Sequence, residues 1–148
     1  MDFEVRSPGT GQLLLTRPFA SAGESEQVLA QSEAAKAPWR GLTLDDRLAL
    51  VERFVDHFSS QEEELGRELS AQMGRPISQT EGEIRGFAHR AKTMMRLAPG
   101  ALADERVRDK EGFVRFIRHE PVGCVLVLAP WNYPYLCAVI AVVPALLA

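Results

Sequence analysis

Cysteine is scarce in this chain, with two among 148 residues, too few for a disulfide framework. A basic stripe is missing as well. Seventeen Lys and Arg face 20 Asp and Glu, a net charge of -3, which argues against nucleic acid or an anionic membrane surface as a partner. The opening MDFEVRSPG lacks the basic start, apolar core and small-residue cleavage site of a signal peptide, so a cytoplasmic location is expected. Gly9 and Gly11 begin a G-x-G, but no third glycine and no preceding buried strand complete a dinucleotide fingerprint. His57, His89 and His119 show no metal-ligand spacing, and no metal is expected. What remains, with 46% hydrophobic and 25% charged residues, is an ordinary globular composition of single-domain length.

The first hundred residues read as a hairpin followed mostly by helix. Strand-like runs at Phe3–Ser7 and Gln12–Thr16 flank the turn residues Pro8 to Gly11. Ser21 with Glu24 forms a capping box for a helix running through Lys36, which Pro38 is expected to end. A second helix begins near Thr43, with Leu44, Leu48, Val51, Phe54, Val55 and Phe58 on one apolar face. Ser60 and Glu63 are read as the cap of a third, which stops at Gly74. The spacing predicts a fourth helix over Glu81–Leu97, with Ile84, Phe87, Ala88, Ala91, Met94 and Met95 inward, closed by Pro99 and Gly100. From Ala101 to Gly112 mixed charges, including Asp104, Asp109 and Glu111, suggest a solvated connection, and Phe113–Arg118 reads as a strand.

The most informative stretch is VGCVLVLAPWN, Val122 to Asn132, followed by Tyr133 and Pro134. An unbroken aliphatic run bounded by Pro121 and Pro130 is expected to be a buried strand of a parallel sheet. Pro134 suits the first turn of a helix over Tyr135 to Leu147, which Pro144 is expected to bend or shorten. Ligands of such sheets bind beyond the carboxyl ends of the strands, where Trp131 and Asn132 fall. The Asn132 amide can serve as a neutral donor to an oxygen on which charge develops. On the residues alone it can equally cap the next helix, with Trp131 packed in the core.

The segment EPVGCVLVLAPWNYPYLCAVIAVVPALLA closely resembles the part of the aldehyde dehydrogenase superfamily that carries a strand, a PWN loop and a helix. Glu120, Pro121, Gly123, Pro130, Trp131, Asn132, Pro134, Pro144, Ala145 and Leu146 carry the match, with looser likeness at Pro38–Arg40 and at GRPI, Gly74 to Ile77. The resemblance implies an α/β fold: a helical amino-terminal part plus the first strand, loop and helix of an incomplete Rossmann-like sheet. It implies oxidation of an aldehyde to a carboxylic acid, with NAD or NADP as hydride acceptor, through a Cys thiohemiacetal and a Glu-activated water. Asn132 would then be the catalytic oxyanion donor. Leu128, Ala129, Pro130 and Trp131 would lie along the nicotinamide, and Tyr133, Leu136 and Cys137 along the aldehyde tunnel, although ordinary core packing accounts for these three equally well.

The family's nucleophile motif is absent from the chain, which is expected to be an amino-terminal fragment, inactive alone. Cys124 and Cys137 are read as small buried hydrophobes, because no Lys, Arg or His lies between Pro121 and Ala148 to lower a thiol pKa. The expected division is 1–111, hairpin and helical part; 112–121, a piece of the arm through which family members form homo-oligomers; and 122–148, the start of the nucleotide-binding sheet. Two other readings stay open. One is a non-catalytic binding module associating with family subunits. The other is a helical domain with a carboxy-terminal membrane anchor, against which Pro130, Asn132, Pro134 and Pro144 weigh, since a spanning helix must satisfy its own backbone.

Overall fold

The computed structural model describes residues 2–108 and 110–148; Asp109, placed above in the charged connection, lies outside them. The chain opens with an antiparallel hairpin of β1 (Asp2–Arg6) and β2 (Leu13–Pro18), registered as Phe3 opposite Arg17 and Val5 opposite Leu15. Its loop turns on Gly11, whose φ of 71° favours glycine.

Four helices follow: α1 (Ala22–Arg40), α2 (Leu44–Ser60), α3 (Glu62–Met73) and α4 (Ile77–Ala101). The first two begin with capping boxes. Ser21 Oγ accepts from the Glu24 N–H while the Glu24 carboxylate accepts from the Ser21 N–H at 2.7 Å, and Thr43 with Asp46 repeats the pattern. Hydrogen bonds from Ser21, chiefly its backbone N–H, hold the Glu24 carboxyl below its usual range, and those from Thr43, chiefly its hydroxyl, do the same for Asp46. A depressed folded-state pKa contributes stability above the unfolded value and loses it as pH falls through the folded value. Acidification should therefore fray the first turns of α1 and α2 once pH drops below the ordinary carboxylate range. Amide exchange at Glu24 and Asp46 checks this, and protection that stays constant through that range would contradict it.

Several boundaries differ from the sequence expectation. Helix α1 runs through Pro38 to Arg40, because a proline in the last turn forfeits a single hydrogen bond while keeping a helical φ. The same reason lets α4 include Pro99 and Gly100, and it begins four residues earlier than expected, directly after Pro76. Ser60 does not cap α3. It belongs to α2, its hydroxyl donating to the His57 carbonyl at 2.7 Å, and Gln61 stands at the N-cap without a side-chain bond. Gly74 ends α3 in the left-handed conformation, φ 78°, as expected.

Beyond α4, β3 (Glu105–Arg106) pairs antiparallel with β4 (Phe116–Ile117). Thus the connection read as irregular contributes a strand, and the Phe113–Arg118 strand shortens to two residues. Arg118 holds the pair by a two-pronged bond to Asp104, at 3.0 and 2.6 Å.

Residues 122–128 form no strand. They carry no regular secondary structure, with Val122 92% and Leu126 84% exposed. A strand needs N–H and C=O partners on a neighbour, and the sheets among the described residues are two-stranded and antiparallel. Helix α5 (Pro134–Leu147) then starts on Pro134 as expected and continues through Pro144.

The core joins α2, α4 and α5. Val51, Val55, Phe87, Ala91, Ala98, Val139, Val143 and Leu147 are buried together, with Phe58 and Tyr135 packed against them. The Phe58 and Phe87 ring centroids lie 4.2 Å apart, and Tyr135 meets Phe58 edge-on at 5.0 Å. Helix α1 buries none of its residues; the Trp39 indole N–H, donating to the Leu146 carbonyl at 3.0 Å, ties it to α5. Among the described residues no helix is long and apolar enough to cross a membrane.

Candidate active site

The Trp131–Asn132–Tyr133 loop joins residues 122–130 to α5, and its position is set from below by Arg75, met in the sequence only as part of GRPI, and by Glu83, which was not singled out. Glu83, on the buried face of α4, spends both carboxylate oxygens on this junction. Oε1 accepts from the backbone N–H of Tyr135 at 2.9 Å and of Leu136 at 3.3 Å. Oε2 is ion-paired with Arg75, whose other terminal nitrogen donates to the backbone carbonyl of Asn132. The Arg75 and Glu83 side chains are 8% and 1% exposed. The guanidinium also stacks over the Tyr133 ring, 4.2 Å from its centroid.

These contacts, with the exposure of Asn132 and Trp131, exclude a capping Asn132 beside a Trp131 packed in the core. The N-cap of α5 is Tyr133, with no side-chain capping bond of its own, and Glu83 accepts the first free amides, which favours a negative charge at the positive end of a helix. Asn132 therefore does not cap the helix; its residue is exposed. Trp131 does not pack in the core either, being 77% exposed. It follows Leu128, Ala129 and Pro130, which are exposed with it.

Of the three residues assigned to the tunnel, Tyr133 is exposed on one side and stacked on Arg75 on the other, while Leu136 and Cys137 are half-buried on α5. Leu136 abuts α4 so closely that a Cβ at Gly86 would lie 2.8 Å from its Cδ2. A small opening of about 160 Å³ lies beside Arg75, Gln79, Gly82, Glu83, Tyr133 and Leu136. The Arg90 guanidinium closes over the other side of α5, donating to the Leu136 carbonyl at 2.9 Å. Burial, with Glu68 and Glu83 nearby, pushes the Tyr135 hydroxyl up from its usual pKa.

The cysteines behave differently from one another. Cys137 is half-buried, but Cys124 is exposed rather than buried, because the strand that would have enclosed it has no neighbours. The tertiary fold also brings to it what its own segment lacks. Its thiol donates to the Glu33 carboxylate at 3.5 Å, and Lys36 pairs with that same carboxylate at 2.8 Å. Here α1, residues 123–127 and α5 line a largely apolar groove of about 350 Å³.

Glu83 left one trace in the sequence. It falls four residues before Phe87, on the inward stripe of α4, and a carboxylate there requires a buried partner. That the partner is Arg75, eight positions earlier and across a helix start, could not be read from spacing.

The fold of this chain is similar to that of solved aldehyde dehydrogenases. The structure of succinate-semialdehyde dehydrogenase from Burkholderia pseudomallei superimposes with a TM-score of 0.90 at 28% identity, over 100% of this chain and 31% of that one. PnpE in complex with nicotinamide adenine dinucleotide does so with a TM-score of 0.91 at 25% identity, over 100% of this chain and 30% of that one. The 3-sulfolactaldehyde dehydrogenase of Pseudomonas putida is 30% identical across 99% of this chain and 30% of its own length. The family model for the aldehyde dehydrogenase family matches residues 1–148, and the chain belongs to that family. It spans about 30% of the length of the curated relatives it matches.

Proposed function

We propose that these residues serve an enzyme that oxidises an aldehyde to a carboxylic acid with NAD or NADP, and that Asn132 supplies the oxyanion donor. One observation carries the reading. The α5 amides are capped by Glu83 from another helix, so the Asn132 side chain, at the mouth of the loop, is spared for a ligand. When a thiolate adds to an aldehyde, charge develops on the former carbonyl oxygen, and a preorganised neutral amide stabilises it without having to be reoriented. On this reading the thiol and the base that activates water belong to the part of the relatives' length that this chain does not span.

The exposed strip Leu128–Trp131 offers a flat apolar edge and free backbone groups on which a nicotinamide ring can lie; the dinucleotide, when bound, accepts hydride. PnpE, which shares the fold, was solved in complex with nicotinamide adenine dinucleotide, and this supports a dinucleotide as the cofactor. The three-part division at 111 and 121 fits the same reading, with residues 122–128 pairing to further strands and the β3–β4 hairpin taking part in a homo-oligomer. Assay of the intact protein against aldehydes of graded length with each dinucleotide tests it. Absence of reduced dinucleotide with every aldehyde, from folded protein that carries a thiol nucleophile, would count against it.

Leu136 facing the aldehyde gives a sharper check. In Gly86→Ala the new methyl meets the tip of a flexible side chain. The overpacking cost of about 1–3 kcal/mol is partly offset by about 1 kcal/mol of helix propensity, so the fold survives. Displaced Leu136 should raise KM for aldehydes long enough to touch it and leave the shortest unaffected. Equal changes for all lengths would remove Leu136 from the tunnel.

A further inference from the structure

A buried ion pair is an inefficient way to stabilise a fold, because removing both charges from water cancels much of their attraction. The Arg75–Glu83 pair is nonetheless nearly sealed from solvent, and every remaining hydrogen bond of the two side chains is directed at one place. Ahead of Pro134 it holds the Asn132 carbonyl through Arg75; after it, it holds the Tyr135 and Leu136 amides through Glu83. Pro134 between them has no N–H to offer. The Tyr133 ring lies against the same guanidinium. Rotation of the junction between Asn132 and α5 therefore requires breaking charge-assisted bonds on either side of Pro134.

The geometry points to Glu83 and Arg75 as positioning residues that fix the direction of the Asn132 amide from beneath the site, touching neither aldehyde nor dinucleotide. This rests on the reading of Asn132 as the oxyanion donor, yet it has a readout of its own. Glu83 sits on α4 and Arg75 just before that helix, so α4 and the loop are coupled through this pair rather than through the PWN segment's own sequence.

The test uses the intact protein with Glu83→Gln, Glu83→Ala, Arg75→Lys and Arg75→Met. Glu83→Gln keeps an acceptor for the helix amides and removes the charge; Arg75→Lys keeps a charge but cannot reach Glu83 and the Asn132 carbonyl at once. The Asn132 side-chain amide resonances are followed by NMR, together with exchange of the Tyr135 and Leu136 amides. Expected is increased motion of the Asn132 amide in all four variants, with faster Tyr135 and Leu136 exchange greatest in Glu83→Ala. In parallel, kcat should fall about ten- to a hundredfold, as for a misplaced reacting group, with KM for the dinucleotide unchanged.

An Asn132 amide as ordered in folded Arg75→Lys and Glu83→Gln as in the parent would overturn the positioning role, whatever the activity. Loosening of that amide together with a wild-type kcat in Asn132→Ala would instead leave the clamp standing and remove the oxyanion role. Should the alanine and methionine variants fail to fold, the two conservative ones decide the question by themselves.

Discussion

Asn132→Ala is expected to lower kcat for aldehyde oxidation about a hundred- to a thousandfold, the usual cost of one oxyanion donor, when these residues are assayed joined to a thiol nucleophile and a general base. The loss should appear in the first turnover, as slowed formation of reduced dinucleotide, because the developing oxyanion exists only while the carbonyl is being attacked. Dinucleotide affinity should not move, since the strip assigned to that ligand ends at Trp131. The fold should not suffer either. Asn132 is exposed, and the helix that follows is capped by Glu83 rather than by it. A variant with unchanged kcat, under conditions where attack on the carbonyl limits the rate, would take Asn132 out of the mechanism.

Phe87→Ala should have the largest effect on stability. The ring is buried in the core where α2, α4 and α5 meet, edge-on to Phe54 at 5.9 Å and against Phe58 at 4.2 Å. Truncating a buried Phe costs about 3–5 kcal/mol, against a total of about 5–15 kcal/mol for a whole domain. With a denaturant slope of about 1–3 kcal/mol per molar urea, the unfolding midpoint should fall by roughly 1 M or more. Phe113→Ala is the natural control, because its ring is exposed. Equal shifts for the two would mean that the three-helix contact does not hold the fold together. Because α5 rests on Phe87 through Phe58 and Tyr135, partial loss of this contact should also loosen the loop above it.

The sequence determined, by itself, the elements whose causes are local. Ser21 with Glu24 and Thr43 with residues of its own first turn set helix starts by contacts three residues apart. Gly74 ends a helix by a backbone conformation that other residues avoid, and Pro134 starts one by lacking an N–H. The inward stripes of α2 and α4 were legible because periodicity records which face is apolar. The PWN loop and its surroundings also sufficed to indicate the family, since that resemblance depends on residue identity and order and not on contacts.

What the sequence could not determine were matters that depend on partners distant along the chain. Residues 122–128 have strand composition but no strand, because pairing is a property of two segments and composition of one. Pro38, Pro99 and Pro144 read as breaks, yet near helix ends each forfeits so little that packing, as of Ala98 and Leu147, carries the helix through. Glu105–Arg106 became a strand only because Phe116–Ile117 returned to it. Asn132 could have been a cap or a free donor with equal justification from its neighbours. Tertiary structure removed the cap reading by bringing Glu83 to the Tyr135 amide and Arg75 to the Asn132 carbonyl, from 52 and 57 residues away. Long-range electrostatic contacts between buried groups leave almost no periodic signature, and so the residues that hold the site became visible only once the chain was folded.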